Sequence, residues 1–210
     1  MFYSYLIAVV LAYVIGSIPT AVWIGRRYYN TDIREHGSGN AGATNTFRVL
    51  GVKAGIIVLV IDVLKGFCAV IFSYLIAKQI GVHEEDLLRI IAGLSAVMGH
   101  IYPLFADFRG GKGVATIMGA VLGINPIASI VAIIVFLSVL IIFKYVSLGS
   151  VLGGLTFPIT VFVFQPEANI YMQLFSIFVT VMLILNHFSN IKRLWNRTEN
   201  KTYLFGNKKK

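Results

Sequence analysis

Charged residues are scarce in this 210-residue chain: they make up 13% of it, about half the share typical of a soluble domain. Cysteine is almost absent. Cys68 stands alone within an apolar run, which excludes an internal disulfide and a metal site built on paired thiols. Hydrophobic residues instead make up 57% of the chain, and the mean hydropathy is +0.81. The composition therefore excludes an ordinary soluble domain and predicts a membrane protein.

Long apolar runs recur along the chain, and about 20 helical residues are enough to cross the hydrocarbon core of a bilayer. The N-terminal run lacks the basic start and the cleavage site of a signal peptide, so we expect it to be a retained span. One run, Val114–Ile124, would form only about 17 Å of helix before Asn125 and Pro126 end it. We predict an all-α polytopic membrane helix bundle of about seven spans, in a single domain covering residues 1–210. The predicted spans are 3–24, 54–77, 87–102, 114–124, 126–143, 147–164 and 168–186.

Basic residues outnumber acidic ones, and the net charge is +9. With seven crossings and the N-terminus outside, fifteen of the 18 Lys and Arg residues fall on the cytoplasmic side, including the tail residues Lys208, Lys209 and Lys210. This asymmetry follows the positive-inside rule and accounts for the charge without a nucleic-acid partner. The basic tail stays on the cytoplasmic side only if Val114–Ile124 crosses the membrane separately from residues 126–143. It would then be a half-length span, buried by its neighbours. We therefore expect the C-terminus in the cytoplasm.

The first polar segment, residues 37–48, is rich in glycine and in side-chain hydrogen-bond donors. Its match to G-x-G-x-x-G does not indicate a dinucleotide site, because an apolar helix precedes it in place of a strand. Residues without a Cβ still let backbone N–H groups approach an anion, and Arg48 supplies a planar guanidinium suited to phosphate. A plain connector between helices is the alternative. The candidate phosphate-binding residues are Ser38, Gly39, Asn40, Thr44, Asn45 and Arg48.

The second polar segment follows the third predicted span and leads directly into the short helix. It is not a Walker A loop, because the first glycine is missing and Gly113 follows Lys112 where that loop has Ser or Thr. A glycine-rich lead into a helix N-terminus nevertheless binds anions through its N–H groups and the helix dipole. The alternative is a helix-start turn whose lysine extends to the interface. The candidate residues are Gly110, Gly111, Lys112 and Gly113.

The third polar segment begins where the last predicted span ends. Asn186, Asn190, Arg193 and Arg197 recur at helical spacing, which predicts one polar face on a continuous helix. His187 and Asn190, three residues apart, could then address one ligand. A membrane helix that leaves the bilayer with a wet face would give the same pattern. The candidate binding residues are His187, Asn190 and Arg193.

Asp62 and Lys65 lie three residues apart within the second predicted span. An unpaired charge at the centre of a bilayer costs about 2.5–3.5 kcal/mol or more. We therefore expect the two side chains to pair inside the bundle, and a role in substrate binding is the alternative.

These segments make the chain resemble the bacterial acyl-phosphate:glycerol-3-phosphate acyltransferase family of integral membrane enzymes. The resemblance covers nearly the whole chain. It rests on S-G-N-x-G-A-T-N-x-x-R at 38–48, D-x-x-K-G at 62–66, G-H-x-x-P and G-G-K-G-V-A-T within 99–116, and N-H-x-x-N-I-x-R-L at 186–194. Such sequences usually carry Gly-Thr-Glu after the last pattern, whereas here Arg197 precedes Thr198 and Glu199. Arg197 therefore takes no binding role from the resemblance.

The resemblance implies a reaction that is the first acylation of phospholipid synthesis. The acyl group of a fatty acyl phosphate moves to the sn-1 hydroxyl of glycerol 3-phosphate, giving 1-acyl-glycerol 3-phosphate (a lysophosphatidic acid) and phosphate. We expect no cofactor and no metal. The candidate catalytic residues are Arg48, Lys112 and His187. The base stays open between His187 and the departing phosphate, and we favour the phosphate.

The expected location is the plasma membrane of a bacterium, or the inner membrane of a Gram-negative one, with the active site on the cytoplasmic side. The expected partners are the two substrates and the lipid bilayer, with no nucleic acid and no obligate protein partner. The main alternative is a transporter for an organic phosphate, which would bind its substrate near the midplane, where here only Asp62 and Lys65 lie. A CDP-alcohol phosphotransferase would need an aspartate-rich metal motif, which the sequence lacks. It also lacks the His-x-x-x-x-Asp motif of soluble-type glycerolipid acyltransferases and the G-x-S-x-G nucleophile motif.

Overall fold

The structure is a computed structural model that describes residues 2–81 and 84–202. The predicted tail Lys208, Lys209 and Lys210 lies outside the described residues. Within them the chain forms helices and turns without a strand, so the all-α prediction is confirmed. The α-helices are α1 (Phe2–Gly16), α2 (Thr20–Tyr29), α3 (Ala43–Leu50), α4 (Val52–Ile80), α5 (Glu85–Ile101), α6 (Val114–Ile124), α7 (Pro126–Phe143), α8 (Val146–Phe164), α9 (Ile170–Asn186) and α10 (Phe188–Trp195).

The membrane-spanning character of the chain follows from the lengths and composition of these helices. Among the described residues, 5 helical stretches are long and apolar enough to cross a membrane, and the bent pair α9 and α10 gives a sixth. The shorter apolar helix α6 has 11 residues. Its predicted bounds are confirmed, because Asn125 ends α6 and Pro126 begins α7. The seven-crossing topology and the sides on which the termini lie stay predictions.

Two predicted elements near the N-terminus differ from the structure. The first span is not one unbroken helix: α1 ends at Gly16, and α2 begins after Pro19, which has no N–H to continue a helical ladder. The two helices still form one candidate span, Tyr5–Tyr29. The first polar segment is only partly a loop, because its second half is α3.

Contacts divide the chain into two compact units, Met1–Asn125 and Pro126–Lys210. In the second unit, α8 packs against both α7 and α9. The Thr180 hydroxyl on α9 donates to the Gly154 carbonyl on α8 at 2.8 Å. Interhelical bonds of this kind supplement van der Waals packing in a membrane, where water gives no hydrophobic drive. The prediction of a single functional domain remains untested.

Close backbone approach builds the first unit, in which α4 packs against α5 and α6 while α1 packs against α5. A Cβ on Gly66 of α4 would collide with the Thr116 carbonyl of α6, and a Cβ on Gly119 of α6 would collide with the Val63 carbonyl of α4. Small residues at such contacts let membrane helices approach closely. The glycines therefore position α6 directly against α4.

Arg89, on α5, caps the C-terminal end of α6. Its guanidinium donates to the carbonyls of Gly123 and Ile124, and it also pairs with Asp86 at 3.3 Å. The last carbonyls of a helix lack intrahelical donors, and a cation there suits the helix dipole. Arg89 thereby stabilises the C-terminal end of α6, the half-length helix.

Candidate functional site

Asn45, the third residue of α3, shapes the first polar segment. The residue is 2% exposed, and its amide nitrogen donates to the carbonyls of Ile33 at 3.0 Å and His36 at 2.9 Å. Its amide oxygen accepts the N–H of Ser38 at 2.9 Å. Both amide hydrogens and the oxygen are therefore engaged by the backbone of the loop. Asn45 holds this loop in shape, so the geometry favours a positioning role over the predicted direct contact with phosphate.

The other predicted donors of this segment are more accessible. Ser38 and Gly39 are exposed in the loop, and Thr44 and Arg48 are exposed one turn apart on α3, while Asn40 is half-buried. Gly39 has a φ of 70°, which glycine adopts without the strain that a Cβ would bring. An approaching ligand would therefore meet two side chains of α3 and the backbone of the loop.

Arg34, which lies just before the first polar segment, contacts the second polar segment. Its side chain is 7% exposed and contacts the Asp32 carboxylate at 2.8 Å. The guanidinium also donates to the Ala106 carbonyl at 2.9 Å. The hydrogen bond from Arg34 holds the pKa of Asp32 well below its usual range, in spite of the opposing effect of burial. The carboxylate therefore stays ionised and keeps Arg34 in place across the gap between the segments.

The second polar segment folds back onto the end of α5. The N–H of Gly110 donates to the Ile101 carbonyl at 3.1 Å, and the N–H of Gly111 donates to the His100 carbonyl at 3.2 Å. A Cβ at Gly111 would collide with the His100 ring and lie 3.1 Å from the Ala41 carbonyl. Because Ala41 belongs to the first polar segment, the fold of the first unit brings the two segments into contact.

The N-terminus of α6 is the part of the second segment suited to an anion. Gly113 is the N-cap residue, with a φ of 77°, and the partly buried Lys112 precedes it. The first N–H groups of a helix have no intrahelical acceptor. Since α5 carbonyls already accept the N–H groups of Gly110 and Gly111, these two glycines act by allowing close approach. The structure thus narrows the predicted donors to Lys112 and the start of α6.

A buried polar cluster lies among the membrane-spanning helices of the first unit. Lys65 pairs with Asp62 at 2.9 Å, with side chains that are 3% and 2% exposed, so the predicted pairing is confirmed. Lys65 also donates to the Ile18 carbonyl at 3.0 Å, and the Thr20 hydroxyl donates to Asp62 at 3.2 Å. His100 Nδ1 lies 3.7 Å from the same carboxylate oxygen. The cluster therefore connects the break between α1 and α2 to α4 and to the end of α5.

Glu199 organises the polar face of α10 in the second unit. Its carboxylate accepts hydrogen bonds from Ser147 at 2.9 Å, Asn190 at 2.8 Å and Arg193 at 2.7 Å. Burial alone would raise the pKa of Glu199, but these hydrogen bonds outweigh it and lower the pKa below its usual value. An ionised Glu199 therefore fixes the positions of Asn190 and Arg193, the two predicted binding residues on this helix.

His187 lies at the bend of 59° between α9 and α10. The residue is buried, and its Nδ1 is 2.9 Å from the Leu183 carbonyl. Because a carbonyl can only accept, this contact places the proton of the neutral ring on Nδ1 and the lone pair on Nε2. In that tautomer Nε2, and not Nδ1, is the ring nitrogen with acceptor character.

The bend corrects the predicted continuous polar helix. Asn186 ends α9, whereas Asn190 and Arg193 belong to α10, and Arg197 comes after α10 has ended. Arg197 has a φ of 57°, a left-handed conformation that costs a residue with a Cβ about 1–2 kcal/mol. This conformation gives a physical reason for the glycine that similar sequences carry at this position.

Sequence reasoning missed the roles of Asp32, Arg34 and Glu199. All three belong to contacts in which a buried or half-buried carboxylate accepts several hydrogen bonds. Asp32 and Glu199 are two of the 9 acidic residues, and their side chains, 11% and 8% exposed, are buried enough to need partners. The sequence carries no signal that separates these acids from others that lie in solvent, such as Asp107, whose side chain is 82% exposed.

A family model described as Glycerol-3-phosphate acyltransferase matches residues 6–197. The glycerol-3-phosphate acyltransferase of Clostridioides difficile is 44% identical over 199 residues, which cover 95% of this chain and 96% of the relative. That of Macrococcus caseolyticus is 42% identical over 191 residues, which cover 91% of this chain and 93% of the relative. The crystal structure of PlsY (YgiH), an integral membrane glycerol 3-phosphate acyltransferase, in its glycerol 3-phosphate form superposes with a TM-score of 0.83 and 34% identity, covering 95% of this chain and 96% of that chain.

Proposed function

Because the chain belongs to the glycerol-3-phosphate acyltransferase family of integral membrane proteins, we propose that it transfers the acyl group of a fatty acyl phosphate to the sn-1 hydroxyl of glycerol 3-phosphate. The products are 1-acyl-glycerol 3-phosphate and inorganic phosphate. PlsY (YgiH) has both a glycerol 3-phosphate form and a lysphosphatidic acid form, which supports this acceptor and this product.

The close approach of Gly111 to the Ala41 carbonyl, within 3.1 Å of where a Cβ would stand, is the observation that carries the proposal. It joins the exposed donors of the first polar segment to the start of α6 within one compact unit. An acyl phosphate presents a phosphate head on a chain that stays in the bilayer, since each buried CH₂ contributes about 0.8 kcal/mol. Backbone N–H groups, a helix dipole and the cations Arg48 and Lys112 are the groups that such a head requires. We place them at the cytoplasmic face of a bacterial plasma membrane, following the positive-inside rule.

The proposed reaction needs no covalent enzyme intermediate. The hydroxyl oxygen of glycerol 3-phosphate attacks the acyl carbonyl carbon, and the bond from that carbon to the phosphate oxygen breaks. Phosphate leaves with the bonding electrons, and the hydroxyl proton goes to the departing phosphate. Arg48 and Lys112 offset the negative charge that develops on the leaving group. We assign His187 and Asn190 to orienting glycerol 3-phosphate and Arg193 to binding it.

The contact of His187 with Leu183 favours this substrate-assisted route. In enzymes where histidine is the base, a carboxylate at Nδ1 stabilises the imidazolium that forms. Here Nδ1 faces a backbone carbonyl, which is neutral and stabilises a cation less. We therefore expect His187→Ala to raise the KM for glycerol 3-phosphate more than it lowers kcat. Normal binding of both substrates with nearly complete loss of turnover would instead identify His187 as the base.

A direct assay tests the proposed function. Purified protein is incubated with acyl phosphate and glycerol 3-phosphate, without metal or coenzyme A, and lysophosphatidate and phosphate are measured together. We expect equal amounts of the two products. Lys112→Gln should lower kcat/KM by about 10²-fold, as expected for loss of a group that stabilises developing charge. Lys53→Gln, on the exposed first turn of α4, is the control and should leave the rate unchanged.

The same preparation separates the enzyme from a transporter. Formation of no lysophosphatidate across a range of chain lengths and detergents would refute the acyltransferase proposal. Uptake of glycerol 3-phosphate into sealed liposomes, without any product, would favour transport of an organic phosphate.

A further inference from the structure

The outer face of α10 is apolar and exposed. Phe188 and Trp195, seven residues apart and therefore on the same side of the helix, are 69% and 89% exposed. Ile191 lies between them on that side. The opposite side carries Asn190 and Arg193, which Glu199 holds in place. Such a helix has one face committed to the protein and another that needs a different partner.

The exposed face of α9 indicates what that partner is. Phe178, Val181 and Leu185 form an exposed apolar stripe along α9, with the helical spacing of a lipid-facing surface. Phe188 follows Leu185 by three residues and begins the exposed apolar face of α10, after a bend of 59° between the two helices. Because α10 directly follows a helix with a lipid-facing side, its own exposed apolar face begins at the depth where that helix ends.

The charges around α10 match an anionic membrane surface. Lys192 and Arg197 are exposed beside the apolar face. Tryptophan is enriched at the membrane–water interface because its ring is both apolar and able to donate a hydrogen bond. Each basic residue near a cytoplasmic leaflet gains attraction to anionic lipids. A second protein surface would have to match the apolar stripe of α9 as well, so the bilayer is the simpler occupant.

We propose that α10 is an interfacial helix: its Phe188, Ile191 and Trp195 face lies in the boundary between lipid headgroups and acyl chains, and Lys192 and Arg197 contact lipid phosphates. This surface is separate from the Asn190 and Arg193 side that the proposed function uses. The apolar face holds the Asn190 and Arg193 side of α10 at the depth in the membrane at which anionic headgroups lie.

Trp195 reports directly on this placement, because the chain contains 2 tryptophans and the other is Trp23. The full-length Trp23→Phe variant leaves Trp195 as the sole tryptophan, which red-edge excitation selects over the 10 tyrosines. It is reconstituted into phosphatidylcholine liposomes brominated either near the carbonyl end or near the methyl end of the acyl chains. We expect stronger quenching by bromine near the carbonyl end and protection from an aqueous quencher such as acrylamide.

Two results would overturn the interfacial placement. Quenching by acrylamide without quenching by either lipid would place Trp195 in water. Protection from acrylamide and from both lipids would place it against protein, as in contact with a second copy of the chain. Because the readout is fluorescence, the outcome does not depend on whether the acyltransferase assay succeeds.

The charge contribution is tested with brominated phosphatidylglycerol diluted into unbrominated phosphatidylcholine. We expect it to quench Trp195 more than brominated phosphatidylcholine does at the same dilution. The preference should disappear in Lys192→Gln/Arg197→Gln and persist in Lys53→Gln, all made in the Trp23→Phe background. A preference retained in the double variant would show that Lys192 and Arg197 do not contact lipid phosphates.

Discussion

The buried pair of Asp62 and Lys65 allows a quantitative test, because a buried ion pair responds differently to losing one charge than to losing both. Lys65→Met removes the cation and leaves a carboxylate that is 2% exposed, with Thr20 still donating to it at 3.2 Å. Removing one partner of a buried pair costs about 3–5 kcal/mol, and we expect this decrease in the free energy of unfolding. Asp62→Asn/Lys65→Met removes both charges, so it should be more stable than Lys65→Met by at least about 2 kcal/mol.

The measurement is an SDS titration of the purified protein in mixed micelles, followed by far-ultraviolet circular dichroism. The control is Asp86→Asn, which breaks the pair with Arg89 on α5 at the same spacing of three residues, where the Asp86 side chain is 44% exposed. A partly exposed pair contributes about 0–1 kcal/mol, so this variant should remain close to the parent. Equal instability of Lys65→Met and the double variant, or a cost for Lys65→Met no larger than that of the control, would refute the reasoning.

Three further predictions follow from the loops and from α10. Glu199→Gln should raise the KM for glycerol 3-phosphate about tenfold, because the charge that orients Arg193 is lost, a change equivalent to about 1.4 kcal/mol. Since the folded-state pKa of Glu199 is lowered, the ionised carboxylate stabilises the fold above the ordinary pKa of 4.5. This stabilisation is lost as the pH falls through the lowered pKa. The unfolding midpoint of Glu199→Gln should therefore fall less on acidification than that of the parent. Arg197→Gly should raise the unfolding midpoint by relieving about 1 kcal/mol of backbone strain while kcat/KM stays unchanged, and a lower midpoint would argue against strain at this residue. Asn45→Ala should cost about 1–3 kcal/mol and open the loop to limited proteolysis, because buried backbone groups lose their partners; Ser38→Ala, which keeps the backbone N–H, should remain resistant, and equal resistance of both variants would contradict the positioning role.

The elements that local chemistry specifies were predictable from the sequence. Val114–Ile124 was predicted with its bounds because Asn125 and Pro126 end the helix and Gly113 precedes it. The pairing of Asp62 with Lys65 was predictable because an apolar span leaves an unpaired charge no good alternative. Composition predicted a membrane protein, and the lengths of the apolar runs predicted that its spans are helices.

The features that depend on long-range contacts were not predictable. The helix α3 was not predicted, because the first polar segment is rich in glycine and in weak helix formers such as Asn45. In the structure, hydrogen bonds from Asn45 to the preceding loop stabilise this helix. The bend at His187 lies between two segments of compatible helical pattern, so periodicity gave no sign of it. The contact of Gly111 with Ala41 joins residues far apart in the chain, and spacing along a sequence carries no information about such a distance.

The Arg89 cap on α6 bears on how the protein is made. A helix of 11 residues is about 17 Å long, little more than half of the ~30 Å hydrocarbon core, and is a weak insertion signal by itself. α4 and α5 leave the ribosome first, and they carry the glycine contacts and the arginine that receive α6. Its insertion is therefore expected to be templated by helices already in the membrane. In the seven-crossing topology, loss of Arg89 would then act during biogenesis. A chain that failed to insert α6 would place every later helix in the bilayer in the opposite orientation. The quality-control proteases of the cell would then degrade a protein with an inverted C-terminal half before any enzyme activity could be measured.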